Sequence, residues 1–146
     1  MTEIREGRPG DLAQLRPIQS AALAEPWPEL LETATQGPPA LYVLTNGRPV
    51  GYVIVVGEAD GVAYVPELAV DPDEQGQGHG SELLAWLRQR LADDGYEELR
   101  LTVQAGDERA REFYDRHGFE RVERLADHFE SGDGLLLRRP LESDDE

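Results

Sequence analysis

The chain has 146 residues, with 30 Asp and Glu against 14 basic residues, a formal net charge of −16 and 39% hydrophobic residues. That apolar content is enough for one compact core. No apolar run approaches the ~18 residues of a membrane-spanning helix, which excludes such a span. The absence of cysteine excludes disulfides, a zinc ribbon and thiol catalysis.

All the basic residues are Arg and none is Lys. The net charge is about twice the upper end of the usual range of roughly 2–8 for a small domain. Such a surface repels nucleic acid and anionic lipid, so neither is an expected partner. At molar salt the Debye length falls to about 3 Å and self-repulsion is screened. The composition therefore fits a halophilic, cytoplasmic protein in a salt-accumulating cell. An ordinary acidic protein from a GC-rich genome would also favour Arg over Lys. Met1–Arg5 lacks the basic start and apolar core of a signal peptide. Residues 1–140 are expected to form one domain, and 141–146 an acidic tail.

In chain order, Ile4–Glu6 reads as a short strand, and Pro9-Gly10-Asp11 opens a helix through about Ala24. Pro26-Trp27-Pro28 interrupts before a short helix over Glu29–Thr35. A meander follows: Leu41–Thr45, a tight turn at Asn46-Gly47, Pro49–Val56, a turn at Asp60-Gly61, then Val62–Val70. After the loop Gln75-Gly76-Gln77-Gly78-His79-Gly80 comes an amphipathic helix, with Leu83, Leu87 and Leu91 at i, i+4 and i+8 and Gly95 as its C-cap. Glu98–Gln104 is a strand, Asp107 caps a helix that ends at Gly118, and Phe119–Leu125 and Leu135–Arg139 are the last strands. Asp127–Asp133 is expected to be the loop between them.

The glycine loop lies where a strand becomes a helix. The first N–H groups of a helix have no intrahelical partner and the dipole there favours negative charge, so this is a ready anion site. No Lys follows, so it is not a Walker loop. The Rossmann pattern lacks its third glycine, because Ser81 stands there. A glycine-rich turn without a ligand also fits the spacing.

The stretch Leu68-Ala69-Val70-Asp71-Pro72-Asp73-Glu74-Gln75-Gly76-Gln77-Gly78-His79-Gly80 resembles the acetyl-CoA signature Q/R-x-x-G-x-G/A of the GNAT N-acetyltransferases, with Gln75, Gly78 and Gly80 on its positions. The late motif Asp107-Glu108-Arg109-Ala110…Phe113-Tyr114…Gly118-Phe119 resembles the same family, and the likeness runs over about residues 2 to 140. It implies the GNAT fold: an α/β (α+β) domain with a mixed, mostly antiparallel sheet of six or seven strands flanked by helices. It implies acetyl transfer to an amine by direct attack in a ternary complex, with acetyl-CoA as donor and no metal. Gln75, Gly76, Gln77, Gly78, His79, Gly80 and Ser81 would bind the pyrophosphate, chiefly through backbone N–H groups. Leu68, Ala69 and Val70 would bind pantetheine, with the Val70 N–H polarising the thioester carbonyl. A splay between the Val62–Val70 and Glu98–Gln104 strands would hold the coenzyme. Asp107 and Ala110 would line it too, although Asp107 stands where many members have Asn and reads first as a helix cap.

Such a reaction needs a neutral amine, a stabilised oxyanion and a proton for the leaving thiolate. Tyr114, a phenol of pKa near 10, is the candidate acid, at the position where the family commonly has one; packing in the core is its other reading. Glu67 is the candidate base or amine-binding group. Period-2 alternation sets it between Val65 and Ala69 on one strand face, where burial would raise its pKa; a salt bridge to an arginine or a solvated face are the alternatives. Pro66 beside it removes a ladder donor, which points to an edge, bulge or splayed pair. His79 reads as cofactor contact, packing or solvent-facing, and His117, at a helix C-terminus, suits the dipole.

Glu25-Pro26-Trp27-Pro28-Glu29 resembles a segment of the ribosomal-protein N-terminal acetyltransferases, and His128-Phe129 falls where they carry paired tyrosines. This implies acceptor contacts at Trp27, His128 and Phe129. Their L-E-V-R strand reads Leu101-Thr102-Val103-Gln104 here, with Thr102 in place of the glutamate base. The acceptor is thus a protein N-terminus or a small-molecule amine, and the chain a monomer or homodimer. A non-catalytic acyl-CoA sensor is the alternative.

Overall fold

The computed structural model describes residues 1–141; the expected acidic tail, from Glu142 on, lies outside the described residues. In chain order the elements are β1 (Glu3–Glu6), α1 (Leu12–Ala22), α2 (Pro28–Ala34), β2 (Ala40–Thr45), β3 (Pro49–Gly57), β4 (Val62–Val70), α3 (His79–Asp93), β5 (Glu98–Gln104), α4 (Glu108–Arg116), β6 (Glu120–Phe129) and β7 (Gly132–Pro140). They form a seven-stranded sheet in the order β1-β2-β3-β4-β5-β7-β6. The β1–β2, β2–β3, β5–β7 and β6–β7 pairs are antiparallel and β4–β5 is parallel, so the sheet is mixed and mostly antiparallel. No helix among the described residues is long and apolar enough to cross a membrane.

Two compact units can be distinguished, residues 1–56 with 66–87 and residues 57–65 with those from 88 on. In the first, β2 and β3 bury both faces, which explains their near-continuous apolar runs. Leu41 and Val43 of β2 join Tyr52 and Ile54 of β3, Ala69 of β4, Leu15 and Ile18 of α1, and Leu31 and Ala34 of α2 in one core. Tyr42 points the other way and meets Trp86 of α3 edge-on, at 4.9 Å between ring centroids. Leu83, Leu84 and Leu87 of α3 are fully buried, and each contributes about 1.5–3 kcal/mol. The first helix stops at Ala22, short of Ala24, because Leu23 turns extended (ψ 137°).

In the second unit the Asp60-Gly61 turn forms with φ of 62° and 75°, and the Glu58 N–H closes it on the Val62 carbonyl at 2.8 Å. The β4–β5 register runs from Val62↔Glu98 to Val65↔Leu101, and the prolyl ring of Pro66 follows; β5 continues against β7 as far as Gln104. Gly95 caps α3 as expected. At φ 93° it donates to the Ala92 carbonyl, and Tyr96 donates to that of Leu91, the paired bonds of a Schellman motif.

The expected loop over Asp127–Asp133 is corrected. β6 runs through His128 to Phe129, leaving a two-residue connection at 130–131. Leu125 pairs with Gly134 and Phe129 with Gly132, so β6 absorbs its surplus residues in a bulge. Asp127 sits there at φ 52°, its N–H donating to Asp133 at 2.9 Å, and Arg124 pairs with the same Asp133 at 2.7 Å.

Candidate active site

In the first unit, the glycine loop turns on Gly76 and Gly78, with φ of 83° and 82°. A Cβ built at either meets nothing within 4 Å, so the glycines serve backbone conformation and leave an open approach. The Gln75 side chain donates to the Val70 carbonyl at 3.3 Å and ties the loop to the end of β4. Arg48 pairs with Asp71 and Glu74, both at 3.3 Å, and offsets one of the two negative charges that would oppose an anion. Helix geometry leaves the His79 and Gly80 N–H groups of α3 without intrahelical acceptors. Open backbone and a helix N-terminus are features that fit an anionic group.

His79 is buried, not solvent-facing. Neither ring nitrogen has a hydrogen-bond partner, and Nε2 lies 3.7 Å from Glu74 Oε1. Gly51 explains itself by close approach: a Cβ there would stand 3.0 Å from the Ala69 carbonyl oxygen.

Glu67 is buried at 6% exposure between Val65 and Ala69, as the alternation requires. No arginine pairs with it among the described residues. Gln19 Nε2 and the Tyr52 hydroxyl each donate to Oε1 at 2.9 Å, and the Trp27 main-chain N–H donates to Oε2 at 2.9 Å. Gln19 and Tyr52 are themselves buried. Burial first, then the charge and hydrogen bond of Glu67, push the Tyr52 phenol far above its ordinary value, so it remains a donor. Trp27 is 56% exposed although its backbone N–H is pinned. Sequence reasoning missed Gln19 and Tyr52, because each reads as an ordinary helix or strand residue.

In the second unit, Tyr114 packs edge-on against Phe113 and Phe119, at 5.0 and 5.3 Å. Burial, then the charge of Asp107, raises its pKa, so the phenol holds its proton. Its hydroxyl has no hydrogen-bond partner among the described residues. Asp107 caps α4, accepting from the Ala110 N–H at 3.1 Å. Thr102 accepts a 2.8 Å hydrogen bond from Tyr64, another residue absent from the sequence-based set. A Cβ on Gly134 would lie 2.9 Å from Thr102 Cγ2 and 3.1 Å from both His128 Cβ and Phe129 Cε2. The structure thus gathers Thr102, His128 and Phe129 around one glycine. His117 stands at the C-terminus of α4, as expected, and is held below its ordinary pKa. Burial is the main cause, followed by Arg88, Arg116 and Arg139.

The profile of the Acetyltransferase (GNAT) family matches residues 12–119. A search of curated protein sequences finds no match. Among solved structures, the ribosomal-protein-S18-alanine N-acetyltransferase of Escherichia coli is similar at 28% identity and a TM-score of 0.87, covering 100% of this chain and 97% of that one. Ard1 from Thermoplasma volcanium is similar at 23% identity and a TM-score of 0.90, covering 97% and 99%. A phosphinothricin acetyltransferase from Sinorhizobium meliloti, solved with acetyl-CoA, shares 18% identity with a TM-score of 0.77, covering 96% and 88%. With the profile matching most of its length, the chain belongs to the GNAT acetyltransferase family.

Proposed function

We propose that this protein is an acetyl-CoA-dependent N-acetyltransferase whose acceptor is a primary amine, with the α-amine of a polypeptide favoured over a small molecule. The observation that carries the reading is the buried Glu67 carboxylate, held among the described residues by neutral donors only and bonded to the backbone of a half-exposed tryptophan. An uncompensated buried carboxylate attracts an ammonium group. The similarity to an enzyme named for the alanine of a ribosomal protein supports a peptide acceptor.

In this reading Gly76 and Gly78 open the loop to the pyrophosphate, the first turn of α3 supplies N–H donors, and the end of β4 faces the pantetheine arm. Acetyl-CoA supplies the thioester carbonyl. Glu67 binds the incoming ammonium and takes up its proton, directly or through water. The amine nitrogen, now neutral, forms the C–N bond as the C–S bond breaks; Tyr114 gives its proton to the departing sulfur and is reprotonated by the second proton that the nitrogen loses. Thr102, a hydroxyl already bonded to Tyr64, is no substitute for a carboxylate base. The proton-accepting role therefore falls to Glu67.

The test is calorimetry with acetyl-CoA in about 2–3 M KCl, where charge repulsion is screened, followed by thiol release with a short alanine-initiated peptide and with spermidine. Wild type is expected to bind acetyl-CoA and to release thiol only when an amine is present. Gly78→Glu, which places a charged side chain at positive φ in the loop, is expected to bind at least about 100-fold more weakly. Tight binding without thiol release for any amine would favour an acyl-CoA sensor and overturn the enzyme reading.

A further inference from the structure

The Glu67 carboxylate has about four lone-pair positions. Its two oxygens are used unequally. Oε1 takes two side-chain donors, Gln19 Nε2 from α1 and the Tyr52 hydroxyl from β3, each at 2.9 Å. Oε2 takes one donor, the Trp27 N–H from the segment between α1 and α2, also at 2.9 Å. The first pair is buried on both sides of the bond, with Gln19 at 1% and Tyr52 at 0% exposure. The second is the link to a half-exposed residue. Among the described residues one lone pair therefore remains without a donor, and it is on Oε2.

We propose that Gln19 and Tyr52 are positioning residues of the acceptor site. By saturating Oε1 they fix the carboxylate plane and leave the open lone pair of Oε2 as the receptor for the acceptor's ammonium group, beside the Trp27 backbone. This rests on the reading of Glu67 as the amine-binding group. Several features of the chain then have one cause. A polar Gln19 lies on the buried face of α1 among Leu15 and Ile18, and a tyrosine fills a fully buried position of β3, because each supplies a donor that an apolar residue lacks. The same carboxylate joins α1, β3 and the Trp27 segment. A side chain that keeps its shape but loses one donor would let the plane rotate and misplace Oε2 without emptying the core.

The experiment compares Tyr52→Phe, Gln19→Leu, Glu67→Ala and the double variant Tyr52→Phe/Glu67→Ala. It measures KM and kcat for the alanine-initiated peptide, or for spermidine if wild type uses only that, and the acetyl-CoA Kd. Tyr52→Phe and Gln19→Leu are each expected to raise the acceptor KM about tenfold, the size of one hydrogen bond to a charged group. Their acetyl-CoA Kd should stay within about twofold. In the Glu67→Ala background, Tyr52→Phe should have no further effect on KM, because it acts through the missing carboxylate. A purely structural role would lower the melting temperature without this split and without this coupling. If Glu67→Ala raises the acceptor KM but Tyr52→Phe and Gln19→Leu do not, the positioning role is overturned while the reading of Glu67 stands. If Glu67→Ala leaves the acceptor KM unchanged, that reading fails and the positioning role fails with it. Tyr52→Phe removes a single oxygen from a packed ring, so it carries the test even if Gln19→Leu does not fold.

Discussion

Glu67 and Tyr114 are both buried polar side chains, and they are held in opposite ways. Glu67 is fixed by hydrogen bonds, with three donors from three parts of the chain around one carboxylate. Tyr114 is fixed by shape, its ring wedged against Phe113 and Phe119 while its hydroxyl bonds to no described residue. Partners that satisfy a buried group also tie the fold to it, whereas a group positioned by packing alone keeps its polar atom for a ligand. Removing the Glu67 carboxylate strands three donors, and removing the Tyr114 hydroxyl strands none.

The largest effect that would test this contrast is on turnover. Tyr114→Phe is expected to lower kcat about 100- to 1,000-fold, as loss of a general acid does. Its unfolding free energy should change by no more than about 0.5 kcal/mol, read from denaturant melts. A large loss of stability in this variant would show that the hydroxyl has a structural partner. Next, Glu67→Ala is expected to lose about 2–4 kcal/mol in the same melts, because Gln19, Tyr52 and the Trp27 N–H are left as unsatisfied donors. An unchanged midpoint would mean that water replaces the carboxylate at little cost.

A smaller effect is expected at Asp107, whose structural role is the cap on Ala110. Asp107→Ala should cost about 1 kcal/mol, and Asp107→Asn much less. Equal losses from both would point to the charge and away from the cap. The smallest effect is the pH dependence of stability from His117. Its folded pKa lies below the ordinary 6.5, so the unfolded chain takes up a proton first as pH falls. Stability is full above about pH 6.5 and declines below it. His117→Gln should flatten the melting temperature between pH 7 and 5. Asp11, held low chiefly by its bond to Arg5, loses its contribution only below its ordinary 3.8 and does not enter this window.

Local chemistry made much of this legible in the sequence. The Gly95 cap, the Asp60-Gly61 turn and the Asp107 cap each follow from one residue's backbone or side-chain preference, and each is found as read. The alternation Val65-Glu67-Ala69 put a carboxylate where burial was one reading and a solvated face another, and Glu67 is buried. What escaped depends on contacts distant in the chain. Tyr52 lies 15 residues from Glu67, and Gln19 lies 48 away. No local pattern distinguishes a buried glutamine that donates to a carboxylate from one on a solvated helix face. The β6–β7 hairpin was misjudged for a related reason. Asp127 and Asp133 look like loop residues, yet their mutual bond closes a bulge that lets β6 continue to Phe129. A mixed sheet of six or seven strands followed from the family likeness, and seven are found.

The most direct measurement is mass spectrometry of a short alanine-initiated peptide and of spermidine after incubation with acetyl-CoA and wild type, Tyr114→Phe or Gly78→Glu protein. The expected result is one acetyl group on an amine nitrogen with wild type, far less with Tyr114→Phe and none above background with Gly78→Glu. Wild type that is folded and bound to acetyl-CoA, yet leaves both amines unmodified, would contradict acetyl transfer as the function of this site.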